Sequence, residues 1–121
     1  MMPVATKDTV GRWGEDVAAR HLVASGLVIL DRNWRCSTGE IDIIARDGRT
    51  LVFCEVKTRR SEAYGTPFEA VTVDKARRQR RLAAAWLETA GLSVRDVRFD
   101  VVGVLCPRRG GPQVEHRRGV I

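Results

Sequence analysis

Residues 41–57 read IDIIARDGRTLVFCEVK, and this stretch decides the fold. Two apolar runs rich in β-branched residues flank the pair Asp47-Gly48. An Asp-Gly pair between such runs is the strongest short-range signal for a β-hairpin, because both residues tolerate positive φ. We therefore predict two antiparallel strands joined by a tight turn at Asp47 and Gly48.

The predicted hairpin brings acidic side chains together. With a two-residue turn at 47–48, Asp42 pairs with Phe53, and Glu55 lies diagonally across from Asp42. Cross-strand partners and alternate residues of one strand share a face, so Asp42, Glu55 and Lys57 are expected on one side of the sheet. The Cβ atoms of the two carboxylates would be roughly 7 Å apart or somewhat less, close enough to bind one small cation. A register shift of one residue would remove this convergence.

The second strand of the hairpin is apolar on both faces before Glu55, which is typical of a central strand in a covered sheet. Ionised groups at the end of such a strand cost several kcal/mol each unless they are paired or bind a metal. An ion pair of Lys57 with Glu55 or Asp42 at the sheet rim is the structural explanation, and a metal site is the functional one. Both stay open at this stage.

Composition indicates one globular domain with a polyanionic partner. The 121 residues are 44% hydrophobic and 30% charged, which is ordinary for a soluble protein with a real core. The net charge is +6 and the isoelectric point is near 10.0. Such a balance favours nucleic acid as the partner.

The cysteines and the apolar runs bear on the compartment. Cys36, Cys54 and Cys106 are odd in number, widely spaced and without a C-x-x-C pair, which argues against a disulfide framework or a structural zinc site. The N-terminus lacks a signal pattern, and no apolar run approaches the roughly 18 residues of a membrane helix. We expect a cytoplasmic protein that does not bind membranes.

A first helix is predicted before the hairpin. Asp8 or Thr9 is placed to cap it, and it runs to about Ser25, with Gly26 to end it. Glu15 falls on or beside its apolar stripe. Glu15 either points towards a site or is bonded to one of the arginines.

Two glycines interrupt this helix. Gly11 and Gly14 both lower helix propensity. Their presence makes sense if another group approaches that face of the helix closely.

A second helix carries a basic cluster. Residues 66–69 have a helix-start signature, and Thr72 can restart the helix, which then runs to about Thr89 and ends before Gly91. Five cations within seven residues repel one another, which favours a phosphate-binding face over a merely solvated one. Together with two arginines after the hairpin, the residues predicted to contact nucleic acid are Arg59, Arg60, Lys75, Arg77, Arg78 and Arg81.

The order of elements predicts the fold class. Strands are expected at 27–35 and 97–105, in addition to the hairpin, with a short edge strand at 113–116. The chain is therefore predicted to be a single α/β domain over residues 1–121, with a mixed central sheet flanked by helices. Residues 1–7 and 117–121 are expected to be flexible.

Several short motifs carry a resemblance over about residues 9–105. They are Gly11-x-x-Gly14-Glu15, Asn33-Trp34-Arg35, Gly39-Glu40-Ile41-Asp42-Ile43-Ile44, Glu55-Val56-Lys57-Thr58-Arg59 and Phe68-Glu69-Ala70-Val71. In these motifs the chain resembles the bacterial YraN-type family, which is predicted to be endonuclease-like. That family in turn resembles the PD-(D/E)XK superfamily of restriction-endonuclease-like folds, especially its archaeal Holliday-junction resolvase branch.

The resemblance implies a role for four residues. Asp42 and Glu55 are expected to bind a divalent metal, Lys57 to assist the attacking water, and Glu15 to complete the site. Ile41 stands where the proline that names the superfamily would be. The fold is implied more strongly than the activity, because nuclease-like folds can lose catalysis.

The chemistry is coherent with that resemblance. Carboxylate oxygens suit Mg²⁺ or Mn²⁺, and a metal-bound water can attack a phosphodiester. We therefore expect a metal-dependent nuclease-like domain that acts on nucleic acid, with DNA as the first choice. A non-catalytic nucleic-acid-binding module and an ion-paired structural protein are the alternatives. A homodimer is one possible assembly.

Overall fold

The computed structural model describes residues 6–60, 68 and 72–121, with side chains from residue 9 onwards. Two helices and five strands follow one another in the order α1, β1, β2, β3, α2, β4, β5. Their bounds are Thr6–Ala24 (α1), Val28–Cys36 (β1), Gly39–Asp47 (β2), Thr50–Arg59 (β3), Val73–Ala90 (α2), Asp96–Leu105 (β4) and Gln113–Arg117 (β5). The mixed α/β class predicted from the sequence is confirmed.

The five strands form one sheet in chain order, β1-β2-β3-β4-β5. Neighbouring strands are antiparallel except for β3 and β4, which are parallel and are connected through α2. A parallel pair needs such a crossover, because its strands start at the same end of the sheet. The central position of β3 explains why its sequence is apolar on both faces.

Each face of the sheet is covered by one helix and one hydrophobic core. The α1-side core consists of Ala18, Ala19, Leu22, Leu27, Ile43, Ala45, Val52, Cys54, Val102 and Val104. The α2-side core consists of Ile41, Ile44, Leu51, Phe53, Leu82, Ala83, Trp86 and Phe99. Alternate residues of β3 therefore face different helices.

The hairpin forms where the sequence predicts it, but its register differs from the predicted one. Asp47 pairs with Thr50, so Gly48 and Arg49 are the turn residues, and Gly48 takes a φ of 61°. Each residue of β2 pairs with the residue of β3 that lies two positions beyond its predicted partner, as Ile44 does with Phe53. Because alternate residues of a strand share a face, the predicted faces are kept along the paired part. Followed from the turn, the ladder between β2 and β3 ends with the pair Ile43 and Cys54, so Asp42 is the first residue of β2 outside it.

The pairing of β1 with β2 is irregular at the same place. The ladder pairs Arg32 with Ile43 and resumes at Trp34, passing over Asn33 and Asp42. Asn33 has a φ of 53°, a left-handed conformation that few non-glycine residues adopt. Trp34 packs against the α2-side core, whereas Arg32 reaches α1. Strict alternation of faces is therefore lost at this point of the sheet.

The ends of the helices agree with the sequence in part. Helix α1 begins at Thr6, earlier than the predicted caps Asp8 and Thr9, so those cap assignments are wrong. Helix α2 has Thr72 as its N-cap, with the Thr72 hydroxyl accepting from the Lys75 N–H, as predicted. The start predicted at residues 66–69 lies largely outside the described residues.

The C-terminal residues contact the sheet. The backbone N–H of Gly119 donates to Asp100 and that of Val120 to the carbonyl of Phe99. Residues 117–121, expected to be flexible, are thus bonded to β4, while residues 1–5 lie outside the described part. No helix of the described residues is long and apolar enough to cross a membrane.

Candidate metal and nucleic-acid site

A cleft of about 600 Å³ opens between the first half of α1 and the end of the hairpin away from its turn. The residues that line it carry charges of both signs. They are Val10, Gly11, Arg12, Glu15, Asn33, Arg35, Glu40, Asp42, Val56, Thr58 and Arg60. Two of the four predicted catalytic residues, Glu15 and Asp42, therefore lie in one cleft.

The position of α1 over this cleft depends on Gly14. A Cβ atom on Gly14 would overlap the side chain of Thr58 on β3, so only glycine permits this approach. The close approach predicted from the two helix glycines is confirmed at Gly14. It is not found at Gly11, where an added Cβ would meet no atom within 4 Å.

Asp42 is the most perturbed carboxylate of the cleft. Where β2 leaves the ladder, the Val56 N–H donates to Asp42 Oδ2 over 2.8 Å. Burial is the largest influence and raises the pKa of Asp42 to about 6, and the charges of Glu15, Glu40 and Glu55 act in the same direction. The hydrogen bond from Val56 opposes this rise and only partly offsets it. Within the described part of the chain, no lysine, arginine or histidine forms an ion pair with Asp42.

Glu15 is buried and paired. Arg32 Nε donates to Glu15 Oε1 over 3.2 Å, and Arg32 Nη2 donates to Asp16 over 2.6 Å. Glu15 is 9% exposed, so it is held on the packed side of α1 as predicted. The arginine partner that the sequence left open is Arg32.

Glu55 has two cations as partners. Lys57 Nζ lies 3.0 Å from Glu55 Oε1, and Lys75 Nζ of α2 lies 3.1 Å from Oε2. Burial raises the pKa of Glu55, but hydrogen bonds to the two lysines and their charges outweigh it and hold that pKa below its usual value. The predicted ion pair of Lys57 with Glu55 is therefore present, and Lys75 extends it to α2.

The expectation that Asp42, Glu55 and Lys57 share one face is wrong. Asp42 lines the cleft with Val56 and Thr58, which belong to the α1 side of β3. Glu55 and Lys57 alternate with these residues and lie on the α2 side, as the contact with Lys75 requires. The cause is the irregularity at Asn33 and Asp42, where the strands lose their alternation.

The carboxylates remain within electrostatic reach of one another, because Glu55 raises the pKa of Asp42. In the part of the chain that the structure describes, no three His, Cys, Asp or Glu side chains are grouped closely enough to hold a metal ion by themselves. Their roles as metal ligands stay predictions.

A family model described as "Uncharacterised protein family UPF0102" matches residues 14–104. A UPF0102 protein of a Nocardioides species is 57% identical over 116 residues, covering 96% of this chain and 94% of the relative. A relative in Streptomyces coelicolor is 58% identical over 116 residues, covering 94% and 89%, and one in Kineococcus radiotolerans is 54% identical over 121 residues, covering 99% of both chains. The chain belongs to the UPF0102 family. The predicted YraN-type membership is confirmed.

The predicted nucleic-acid contacts of this UPF0102 chain lie in two places. Arg59 and Arg60 are exposed at the end of β3, and Arg60 lines the cleft. On α2, Arg77, Arg78 and Arg81 are exposed, whereas Lys75 is half-buried against Glu55. Among the described residues of α2, Lys75 is the one with an ion pair to a predicted site residue, Glu55.

Sequence reasoning missed two cleft residues of this family member. Glu40 stands two positions before Asp42 in a quoted motif, and alternation could have placed both on one side. Arg35 forms an ion pair with Glu40 over 3.0 Å and also lines the cleft. The signal for Arg35 was its place in the predicted first strand of the sheet.

A further buried cluster in the UPF0102 chain was also missed. Asp100 is 2% exposed and accepts from both Arg98 and Gly119. His116 Nε2 lies 2.7 Å from Asp100 Oδ2, and Arg98 also donates to Asp47. Because alternate residues of a strand share a face, the sequence could have placed Arg98 beside Asp100 on β4. Nothing in the sequence points to His116.

Proposed function

We propose that this chain is a divalent-metal-dependent nuclease-like protein that hydrolyses phosphodiester bonds of nucleic acid. DNA is the substrate that we expect. The fold that goes with this proposal is restriction-endonuclease-like. The observation that carries it is Asp42, a half-buried carboxylate in an open cleft, with a pKa raised to about 6 and acidic neighbours. Perturbed carboxylates in clefts are candidates for functional sites, and a cation is the group that relieves this arrangement.

The donor set fits Mg²⁺ or Mn²⁺. Mg²⁺ keeps several waters and is bound through one or two carboxylates plus substrate phosphates, so three grouped protein ligands are not required. Asp42 and Glu15, which share the cleft, would hold the ion, and Glu55, whose charge reaches Asp42 from the other side of β3, would be its further ligand. When bound, the ion supplies an activated water and neutralises charge on the phosphate.

The side chains of this protein supply the remaining parts. The ammonium of Lys57, which lies 3.0 Å from Glu55, would stabilise charge that develops on the phosphate. Arg12, Arg35 and Arg60 line the cleft and can bind phosphates of the strand. The exposed arginines of α2 extend the positive surface beyond the cleft.

Cleavage assays test the proposal. With Mg²⁺ or Mn²⁺, the protein should cleave at least one of branched, flapped or single-stranded DNA. Asp42→Ala, Glu55→Ala and Lys57→Ala should each abolish cleavage, while the control Glu88→Ala, an exposed change at the far end of α2, should not. Cleavage that survives in Asp42→Ala would assign the activity to another site or to a contaminant.

A non-catalytic nucleic-acid-binding module is the second candidate, and the basic surface of α2 favours it. Binding should weaken steeply with salt and show little sequence preference, because phosphate contacts dominate. Replacing Arg77, Arg78 and Arg81 together by Ala should lower the salt slope. Binding without cleavage of any DNA form or RNA would support this candidate over the nuclease.

A further inference from the structure

Both carboxylate oxygens of Glu55 contact an ammonium while its two lysines stay in place. Lys57 contacts Oε1 at 3.0 Å and Lys75 contacts Oε2 at 3.1 Å. The two ammonium groups neutralise the charge of this carboxylate. A divalent cation that binds Glu55 therefore competes with the two ammonium groups for the charge of this carboxylate.

The two lysines differ in how they are attached. Lys57 stands two residues from Glu55 on the same strand, so the two side chains leave β3 on the same face. Lys75 comes from another element, at the first turn of α2, and reaches Glu55 with a long side chain that is 30% exposed. A lysine ammonium on a flexible stem can swing away without a change in the backbone.

We propose that Lys75 is a placeholder cation: it occupies Glu55 until a divalent metal binds there and then moves to the phosphate of the nucleic acid. This proposal rests on the proposed function and deepens it, because it names the residue that couples metal binding to substrate binding. Lys75 precedes the exposed arginines of α2, so the released ammonium joins a surface that already carries positive charge.

The proposal predicts that loss of the Lys75 charge changes two affinities in opposite directions. Removing the charge of Lys75 removes a competitor for Glu55, so a divalent ion should bind more tightly. The same change removes a phosphate contact from the metal-loaded state, so nucleic acid should bind more weakly there. A residue that only ties α2 to the sheet makes no phosphate contact, so its loss would not weaken nucleic-acid binding in the metal-loaded state.

Calorimetric titration with Mn²⁺, in the absence of nucleic acid, tests the predicted gain of metal affinity. Lys75→Met should bind Mn²⁺ about tenfold or more tightly than wild type, because an ammonium at this distance interacts strongly with the carboxylate. Lys75→Gln serves as a second neutral variant, and Lys75→Arg should restore an affinity near that of wild type. Arg80→Met removes the same charge from an exposed position of α2 and should change the affinity by less than about threefold.

Binding of a short single-stranded DNA tests the predicted loss of nucleic-acid affinity. It is measured once with Ca²⁺, in place of Mg²⁺, and once with chelator. Wild type should bind DNA more tightly with the ion than with chelator, and Lys75→Met should lose most of that gain, about tenfold. With chelator the two proteins should differ little, because Lys75 is then held by Glu55.

Three outcomes overturn the proposal. Equal or weaker Mn²⁺ binding in Lys75→Met means that Lys75 is a structural tie. If Lys57→Met binds Mn²⁺ more tightly than wild type and Lys75→Met does not, Lys57 and not Lys75 is the placeholder. If wild type shows no Mn²⁺ binding that Asp42→Asn removes, the metal site itself fails, and the proposed function fails with it.

Discussion

Two aspartates on the same sheet show opposite electrostatics. Asp42 on β2 and Asp100 on β4 are both withdrawn from water, on either side of the central strand β3. Burial is the largest influence on both and acts to raise both pKa values. The pKa of Asp42 is raised to about 6, whereas that of Asp100 is lowered.

The difference lies in the partners. Asp100 receives hydrogen bonds from His116, Arg98 and the Gly119 N–H, which together outweigh burial. Asp42 receives one backbone N–H and has carboxylates around it. A satisfied buried charge supports the fold, while an under-neutralised one in a cleft is a candidate for binding or catalysis. The comparison therefore separates a structural cluster from a functional one within a single sheet.

The largest expected effect is on stability, from the same substitution made at both sites. Asp100→Asn should lower the free energy of unfolding by about 3 kcal/mol, because it removes the buried charge that Arg98, His116 and the Gly119 N–H share, although Arg98 keeps its ion pair with Asp47. Asp42→Asn, studied with chelator at pH 7, should leave stability unchanged or raise it. Urea denaturation of both variants beside wild type measures the two effects. Equal losses at the two sites would contradict the distinction between them.

The pH dependence of stability should also differ in sign. The folded pKa of Asp42 is above its unfolded value of about 3.9, so its contribution to stability is complete below about pH 4 and is lost as pH rises through about 6. Two pKa units correspond to a loss of about 3 kcal/mol. Asp100 has a lowered pKa, so its contribution is present above about pH 4 and is lost as pH falls.

Urea denaturation with chelator between about pH 2.5 and pH 8 measures both slopes. The stability of Asp42→Asn relative to wild type should increase across this range. The deficit of Asp100→Asn should persist from neutral pH and shrink only towards acidic pH. A pH-independent difference between wild type and Asp42→Asn would mean that Asp42 is not perturbed.

Metal binding should stabilise only the protein that keeps Asp42. A ligand that binds the native state adds about 2.7 kcal/mol at 100 times its dissociation constant. Saturating Mn²⁺ or Mg²⁺ should therefore raise the melting temperature of wild type and of Asp100→Asn, but not that of Asp42→Asn. Thermal scans with metal and with chelator measure this. A wild type that does not respond to metal would remove the metal-site assignment.

Much of the fold was predictable because the deciding signals are local. The Asp-Gly turn, the apolar runs and the Thr72 cap each act over a few residues, and the hairpin, β4, β5 and α2 follow from them. The predicted register was wrong because the turn consists of Gly48 and Arg49 and not of Asp47 and Gly48: Asp47 is the last paired residue of β2, opposite Thr50.

The candidate site was less predictable because it depends on contacts that are distant in sequence. Glu15 and Asp42 were assigned to one site, and they share the cleft. The ladder of β1 with β2 passes over Asn33 and Asp42, and Asp42 lies on the other side of the sheet from Glu55. Asn adopts a positive φ more readily than most residues, but one Asn within a strand does not predict such an irregularity. The contact of Lys75 with Glu55 requires α2 to cross the sheet.

The smallest expected effects concern α1, which brings Glu15 to the cleft and His21 to the Asp100 cluster. Its two glycines should respond to alanine with opposite signs. Gly14→Ala should destabilise the protein by about 1–3 kcal/mol, because the new Cβ overlaps the side chain of Thr58 next to its backbone and α1 must shift.

Gly11→Ala is the matched control. An added Cβ at Gly11 meets no atom within 4 Å, and alanine restores helix propensity, so stability should rise by about 0.5–1 kcal/mol. Denaturation curves of the two variants measure both signs. Because Gly14→Ala moves Glu15 relative to Asp42, it should also reduce the metal-induced rise in melting temperature, whereas Gly11→Ala should keep it. If both variants respond to metal as wild type does, the position of α1 over the cleft does not contribute to the site.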